Sequence, residues 1–191
     1  MSAVADMLEI PEVRARVSPV SVAQYHRLFP EFTENGRRTE LIRGVVVEKM
    51  SKSPLHSSTA RRLARLLQAM LPEGFVLLRE DPLTLADSEP EPDLAIVRGR
   101  EDDFAERHPS TAALVIEIAV SSVAEDRALR LVYAEAGVEE YWIVLPSEAK
   151  VEVHRQPAAG VYQEQFTVGG DQTLESAVVS GLRLRLAELW S

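Results

Sequence analysis

Two acidic residues stand where acids are costly. Glu117 sits inside residues 113–120, a segment that is otherwise apolar, and Asp93 follows Pro92 at the head of the apolar run 94–97. An unpaired ionised carboxylate in such surroundings costs several kcal/mol even after relaxation. Glu117 must therefore be paired, protonated or coordinated to a cation. Side-chain alternation puts Asp93, Ala95 and Val97 on one side of one strand, and Val115, Glu117 and Ala119 on one side of the next. If those strands pair, the two carboxylates converge at one end of the sheet. Hard oxygen donors of this kind suit Mg²⁺. A cation held there would polarise a phosphoryl oxygen and generate hydroxide from bound water. The other reading is an ion pair between Glu117 and Arg127 or Arg130, and the residue types alone leave both open.

Positioning these acids requires a sheet with helices on its faces. Ser21 and Gln24 have capping-box spacing and open a short helix running to about Phe29. A turn region follows over residues 30–38, with Asn35-Gly36 inside it. Residues 40–50 read as a strand with a bulge or tight bend at Gly44, or as a hairpin. Residues 57–71 predict a helix, because Ala60, Leu63, Ala64, Leu67, Met70 and Leu71 recur on one face. Ser57 or Ser58 would cap it, and Pro72-Glu73-Gly74 would end it. Arg61, Arg62 and Arg65 fall on its other side.

Strand signals follow at 75–78, 82–85, 93–97 and 113–120, the last reading as a central strand covered on both faces. Ser122 and Glu125 form a second capping box, opening a helix that ends at Gly137. Residues 141–145, 151–155 and 161–168 alternate like strands, and 182–190 reads as a strand followed by a helical turn. The expectation is a loosely held arm over residues 1–17 and one mixed α/β domain over 18–191, ending in a β extension.

Composition removes several classes of function. The 191 residues carry 21 basic against 30 acidic side chains, a net charge of −9, which argues against a sequence-independent binder of polyanions. There is no cysteine, so disulfides, thiolate metal sites and thiol nucleophiles are excluded. No apolar run approaches the roughly 20 residues that span a bilayer, and residues 1–17 lack the apolar core of a secretory signal. No membrane association and a cytoplasmic location are therefore expected. No Gly-x-Ser-x-Gly elbow and no glycine-rich phosphate loop is present. No pair among His26, His56, His108 and His154 has metal-ligand spacing in the sequence.

Four blocks carry a family resemblance. Thr39-Glu-Leu-Ile-Arg-Gly44, Ser88-Glu-Pro-Glu-Pro-Asp-Leu-Ala-Ile-Val97, Leu114-Val-Ile-Glu-Ile118 and Tyr133-Ala-Glu-Ala-Gly-Val-Glu-Glu-Tyr-Trp-Ile-Val144 resemble the Uma-type family of restriction-endonuclease-like proteins. Pro92-Asp93 with Glu117-Ile-Ala119 is similar to the PD-(D/E)XK nuclease signature. The resemblance runs from about Ser18 to about Tyr162. It implies a mixed central sheet flanked by helices and Mg²⁺- or Mn²⁺-dependent hydrolysis of DNA phosphodiesters. It also implies Asp93 and Glu117 as metal ligands and Glu40 as an auxiliary acidic residue.

The sequence departs from the signature at one place: the motif lysine is replaced by Ala119. Relatives that lack this lysine place a base on the following helix, which here offers Arg127 and Arg130 and no lysine. Arg130 is the first choice to stabilise charge at the site and Arg127 the second, although Asp126 and Arg130 also have ion-pair spacing. An arginine cannot act as a base, but its fork can stabilise a phosphorane. Lys49 and Lys52 follow the first β-branched run and are expected in solvent. His56 is expected to cover a helix end. A catalytically degenerate nuclease fold serving as a binding or assembly module is the second functional reading, with Ala119 as its mark. The oligomeric state stays open between monomer and homodimer.

Overall fold

The computed structural model describes residues 10–28 and 38–190. Residues 1–9 of the arm expected over 1–17, and the expected turn at Asn35-Gly36, lie outside the described residues. Pro11–Arg14 makes one helical turn (α1). The helix at Ser21 forms as Val22–Leu28 (α2). Its capping box closes both ways: Gln24 N–H donates to Ser21 Oγ at 3.2 Å, and Ser21 N–H donates to Gln24 Oε1 at 2.8 Å.

The segment around Gly44 is a hairpin of Thr39–Ile42 (β1) and Val45–Glu48 (β2). Its two-residue turn has φ of 49° at Arg43 and 73° at Gly44, the pair of positive values that a tight hairpin twisting with its strands demands. Glycine is required here for a second reason. A Cβ at position 44 would lie 2.3 Å from the Cβ of Pro19.

The long helix is Pro54–Met70 (α3), three residues longer at its start than the periodicity predicts. Ser53, not Ser57 or Ser58, is its cap, accepting from the His56 N–H at 3.2 Å, with Pro54 in the first turn. The Ser53-Pro54 pair was the available signal. This earlier start places His56 in the first turn of the helix.

Six strands form the central mixed sheet: Phe75–Leu78 (β3), Leu94–Arg98 (β4), Leu114–Ile118 (β5), Glu140–Leu145 (β6), Lys150–Ala158 (β7) and Val161–Gly169 (β8). Their spatial order equals their chain order, and only β5 and β6 run parallel. A parallel pair needs a crossover, and Val123–Glu135 (α4) supplies it. Gly137, at φ 72°, follows its end as predicted. Ser122 does not cap α4 with its side chain; its Oγ donates instead to Asp126 Oδ2 at 2.6 Å. The apolar run 82–85 is not a strand. It is a buried turn in which Leu83 N–H donates to Pro90 O and Leu85 N–H to Ser88 O, each at 2.9 Å. The paired sheet ladder it lacks is thereby replaced locally.

Both faces of the sheet are covered. Leu63, Ala64 and Leu67 of α3 pack on Leu94, Ile96 and Leu114. Val132 and Tyr133 of α4 pack on Ala95, Val115 and Tyr141 of the opposite face. Every residue of β5 and β6 is buried. The C-terminal extension is a two-stranded ladder of Thr173–Glu175 (β9) and Arg183–Arg185 (β10), followed by Leu186–Trp190 (α5) against α3. It is tied to the sheet by Glu140, which is fully buried yet satisfied. This carboxylate accepts from Arg155 Nε at 2.7 Å, Trp142 Nε1 at 2.9 Å, Ser176 Oγ at 2.7 Å and Ala177 N–H at 3.0 Å.

Replacing Gly44 by Ala forces an L-residue into left-handed backbone against Pro19, and such strain costs about 1–3 kcal/mol. Gly44→Ala is expected to lower the unfolding free energy by at least about 2 kcal/mol in a denaturant titration. A midpoint equal to that of the parent would show that the hairpin does not need this turn.

Candidate functional site

Register brings the two acids together. In the antiparallel pair β4–β5, Leu94 stands opposite Ile116 and Ala95 opposite Val115. One step further, the Asp93 N–H donates to Glu117 Oε2 at 3.1 Å. In return the Ile118 N–H donates to Asp93 Oδ2 at 2.8 Å. Pro92 cannot extend the ladder, so the strand ends where the acids meet. Both carboxylates are more than nine-tenths buried.

Each acid has its own partners. Lys52 Nζ lies 2.7 Å from Asp93 Oδ1, and His56 Nε2 lies 2.8 Å from Asp93 Oδ2. The Tyr133 hydroxyl, from α4, donates to Glu117 Oε1 at 2.8 Å. Burial pushes the Asp93 carboxyl up, but the His56 and Lys52 bonds outweigh burial and hold it below the usual aspartate range. Among the described residues, no cation forms an ion pair with Glu117. Burial first, and then the charges of Asp93, Asp126 and Glu40, raise it well above the usual glutamate range. Burial likewise raises Asp126 to about 6, with the charge of Asp93 adding to it. For Lys52, burial opposes the ammonium, but Asp93 and Glu80 prevail and lift it above the ordinary lysine value.

These groups line a cavity of about 490 Å³ with Glu40, Lys49 and Asp126. Glu40 reaches this wall from β1, where its Oε1 accepts from the Glu91 N–H at 2.9 Å and lies 2.7 Å from Lys49 Nζ. Lys49 also donates to Glu91 O at 2.7 Å. Lys52 bridges Asp93 to Glu80 Oε1 at 3.0 Å, and Arg38 binds both Glu80 and Glu91. The cavity mouth is therefore a continuous ionic network.

The helix arginines do not join it. Arg127 forks onto Glu152 of β7, with Nε 3.0 Å from Oε2, and Arg130 donates to the carbonyl of Arg127 at 2.8 Å. Neither lines the cavity. The expectation that one of them replaces the motif lysine is corrected: the cation at the acids is Lys52. The Asp126–Arg130 pairing is not made either, since Asp126 binds Ser122. Lys49 and Lys52 are in the site and not in open solvent. His56 is a partner of Asp93 as well as a helix-end residue. Their shared signal was scarcity: two of only three lysines lie within four positions, between an acidic strand and a capped helix.

Oxygen chemistry fits a hard divalent cation. Mg²⁺ commonly uses one or two carboxylates and completes its shell with water, and Asp93 and Glu117 supply that number. Among the described residues, no group of three or more His, Asp and Glu forms a metal-binding cluster.

Comparison with known proteins decides the family. The sequence profile of the Uma2 family, described as "Putative restriction endonuclease", matches residues 22–187. The chain belongs to the Uma2 family. A search of curated proteins finds no match. The fold is similar to that of a solved protein from Anabaena variabilis ATCC 29413, described as "a putative nuclease belonging to DUF820". The TM-score is 0.75 at 20% sequence identity, over 90% of this chain and 98% of that one. The chain thus shares its fold with that solved protein, and the mixed central sheet flanked by helices is the architecture that the Uma-type resemblance implied.

The acids give this Uma2 domain a stability signature without metal. Glu117 and Asp126 have raised values in the folded state, so the native protein holds protons that the unfolded chain has released. Their contribution is fully present below the usual carboxylate range. It is lost as pH rises through about 6 for Asp126, and for Glu117 as pH rises above the usual glutamate range. Asp93 has the opposite sign, and its contribution is lost only as pH falls below the aspartate range. Glu117→Gln should therefore flatten the decline in chelator-treated protein between about pH 5 and pH 8. The difference between variant and parent should change by at least about 1 kcal/mol, since one pKa unit is worth about 1.4 kcal/mol. Parallel curves would show that Glu117 does not titrate here.

Proposed function

We propose that this Uma2 domain is a metal-dependent endonuclease that hydrolyses DNA phosphodiester bonds. The observation that carries this reading is the convergence of Asp93 and Glu117, from adjacent strands, on a cavity with the Lys52 ammonium 2.7 Å from one of them. Bound between these acids, Mg²⁺ or Mn²⁺ would act as a Lewis acid toward a phosphoryl oxygen and lower the pKa of a bound water.

The protein's own groups do the positioning. His56 and the Ile118 N–H fix one Asp93 oxygen, so its carboxylate is oriented before any ligand arrives. The Tyr133 hydroxyl and the Asp93 N–H do the same for Glu117. Lys52 remains an ammonium at neutral pH, because its value is raised. It therefore cannot serve as the base. Its role is to take up charge on a phosphoryl oxygen, as preorganised cations do in phosphoryl transfer. Glu40, held by Lys49, supplies negative charge at the cavity wall and is the auxiliary acid of the proposal.

A second reading has its own observation. Ala119 stands at the motif lysine position, and Lys52 is already neutralised by Asp93 and Glu80. A fold whose acids are satisfied internally can serve as a binding or assembly module with no chemistry left. No helix among the described residues is long and apolar enough to cross a membrane, so neither reading rests on a helical membrane anchor.

Supercoiled plasmid separates the two. With Mg²⁺ or Mn²⁺ the parent is expected to nick it, and Asp93→Asn to abolish nicking. Lys52→Met should lower the rate by about 100-fold or more, the loss typical of removing one preorganised charge-stabilising group. Arg127→Ala and Arg130→Ala should cut like the parent. A parent that neither nicks DNA nor gains melting temperature with either metal supports the module and ends the nuclease proposal.

A further inference from the structure

The cavity walls differ in kind, and the difference bears on which nucleic acid enters. At one end stand Asp93, Glu117, Lys52 and His56. The other wall is built by Ile42, Val47, Met50, Leu129 and Val132. Met50 is 74% exposed and Val47 38%, so part of this wall is open to solvent. The volume of about 490 Å³ is that of a small-molecule site. It is a pocket, whereas a duplex is tracked along a surface.

Each cation around the cavity is already paired, and Lys52, the one beside the acids, is placed to meet a single phosphate. Lys49 is held by Glu40 and Glu91, Lys52 by Asp93 and Glu80, and Arg38 by Glu80 and Glu91. Arg43 lies 2.9 Å from Glu135. Glu48, Glu125 and Asp126 add further acids to the lining. A surface that follows duplex DNA does so with uncommitted lysines and arginines, each neutralising a phosphate. The described lining residues offer no such row, and the chain carries a net charge of −9.

An apolar wall beside a phosphate-sized polar end matches one nucleotide with its base exposed. We propose that the site admits a single unpaired nucleotide. Its phosphate lies at Lys52, Asp93 and Glu117, and its base lies against Ile42, Val47, Met50 and Leu129. The preferred substrate is then a single-stranded or locally unpaired strand, not intact duplex. This rests on the phosphodiesterase reading above. Inside a duplex a base is hidden in the stack, and extracting it costs least where the strand is already unpaired. Every base has an apolar face, so the contact is indifferent to sequence.

The test is fluorescence anisotropy with a short labelled strand, alone and in duplex. Ca²⁺ replaces Mg²⁺ as a hard cation of the same charge, and strand integrity is checked on a gel. The single strand should bind at least about tenfold tighter than the duplex, the scale of taking a small apolar patch out of water. Its log K against log salt should have a slope no steeper than about −1, since each neutralised phosphate contributes about −0.7. Met50→Glu, at a largely exposed position, should keep the parent's melting temperature and weaken single-strand binding about tenfold. Arg61→Glu with Arg65→Glu, on the exposed face of α3, should change nothing. Equal or tighter duplex binding, a slope steeper than about −3, or an inert Met50→Glu overturns the pocket. So does a loss in the arginine double variant, which would move the contact to α3. Tight single-strand binding by a parent that never cuts in Mg²⁺ refutes the catalytic reading alone. Duplex cutting that Asp93→Asn abolishes, with no single-strand preference, refutes the pocket alone.

Discussion

Two carboxylates held face to face by strand register are the constraint on which the rest of this structure depends. The β4–β5 ladder ends with Asp93 beside Glu117, inside a sheet covered on both sides. Two like charges at that distance cannot both ionise freely in a dry site. The protein divides them. Asp93 receives Lys52, His56 and a backbone N–H and stays ionised, whereas Glu117 receives one hydroxyl and one N–H and is pushed toward its neutral form. A divalent ion between the acids, as the proposed function requires, would relieve the repulsion that adds to burial in raising Glu117.

The surrounding elements can be understood as supports for that pair. The β1–β2 hairpin turns tightly at Arg43-Gly44 and delivers Glu40, Lys49 and Lys52 to the cavity within a few residues. α3 starts at Ser53-Pro54, so His56 stands in its first turn with Nε2 on Asp93. α4 crosses between the parallel strands and places Tyr133 over Glu117. Tyr141, from β6, donates in turn to the carbonyl of Asp126 at 2.8 Å and packs against Tyr133. The donors around the two side chains thus come from α3, α4 and β5 as well as from the segment after β2, so the acids are held by rigid supports and not by loop contacts alone.

Much of this was legible in the sequence because it follows from periodicity. Alternation placed Asp93 and Glu117 on one side of the sheet, and the acid inside residues 113–120 announced that something unusual had to satisfy it. The helix over 57–71 followed from its apolar stripe and the one ending at Gly137 from its end signals, although the start of α3 required weighing Ser53-Pro54 above the serines at 57 and 58. What periodicity does not carry is long-range partnership. Lys52 and Asp93 are 41 positions apart, and their contact depends on how a hairpin folds back over the sheet end. Arg127 was attractive by proximity in sequence, yet β7 lies within its reach and offers Glu152. The run 82–85 is as apolar as a strand because it is buried, but Leu83 and Leu85 bond to the adjacent turn and form no sheet ladder.

The absence of a lysine at position 119 has a packing explanation. Ala119 is 2% exposed and belongs to the apolar cluster that contains Val115, Tyr133 and Tyr141. Its N–H donates to Val144 O at 2.9 Å, which anchors the chain there against β6. A lysine rooted at that point would start from within an apolar cluster, where desolvating a charge costs several kcal/mol. Lys52 reaches the same carboxylate from the rim, with its side chain 23% exposed and its stem along the cavity wall. A long side chain can cover apolar surface while its charged end keeps some contact with water. The positive charge is thus supplied with less desolvation, and the apolar cluster that holds Ala119 also holds Tyr133, whose hydroxyl donates to Glu117.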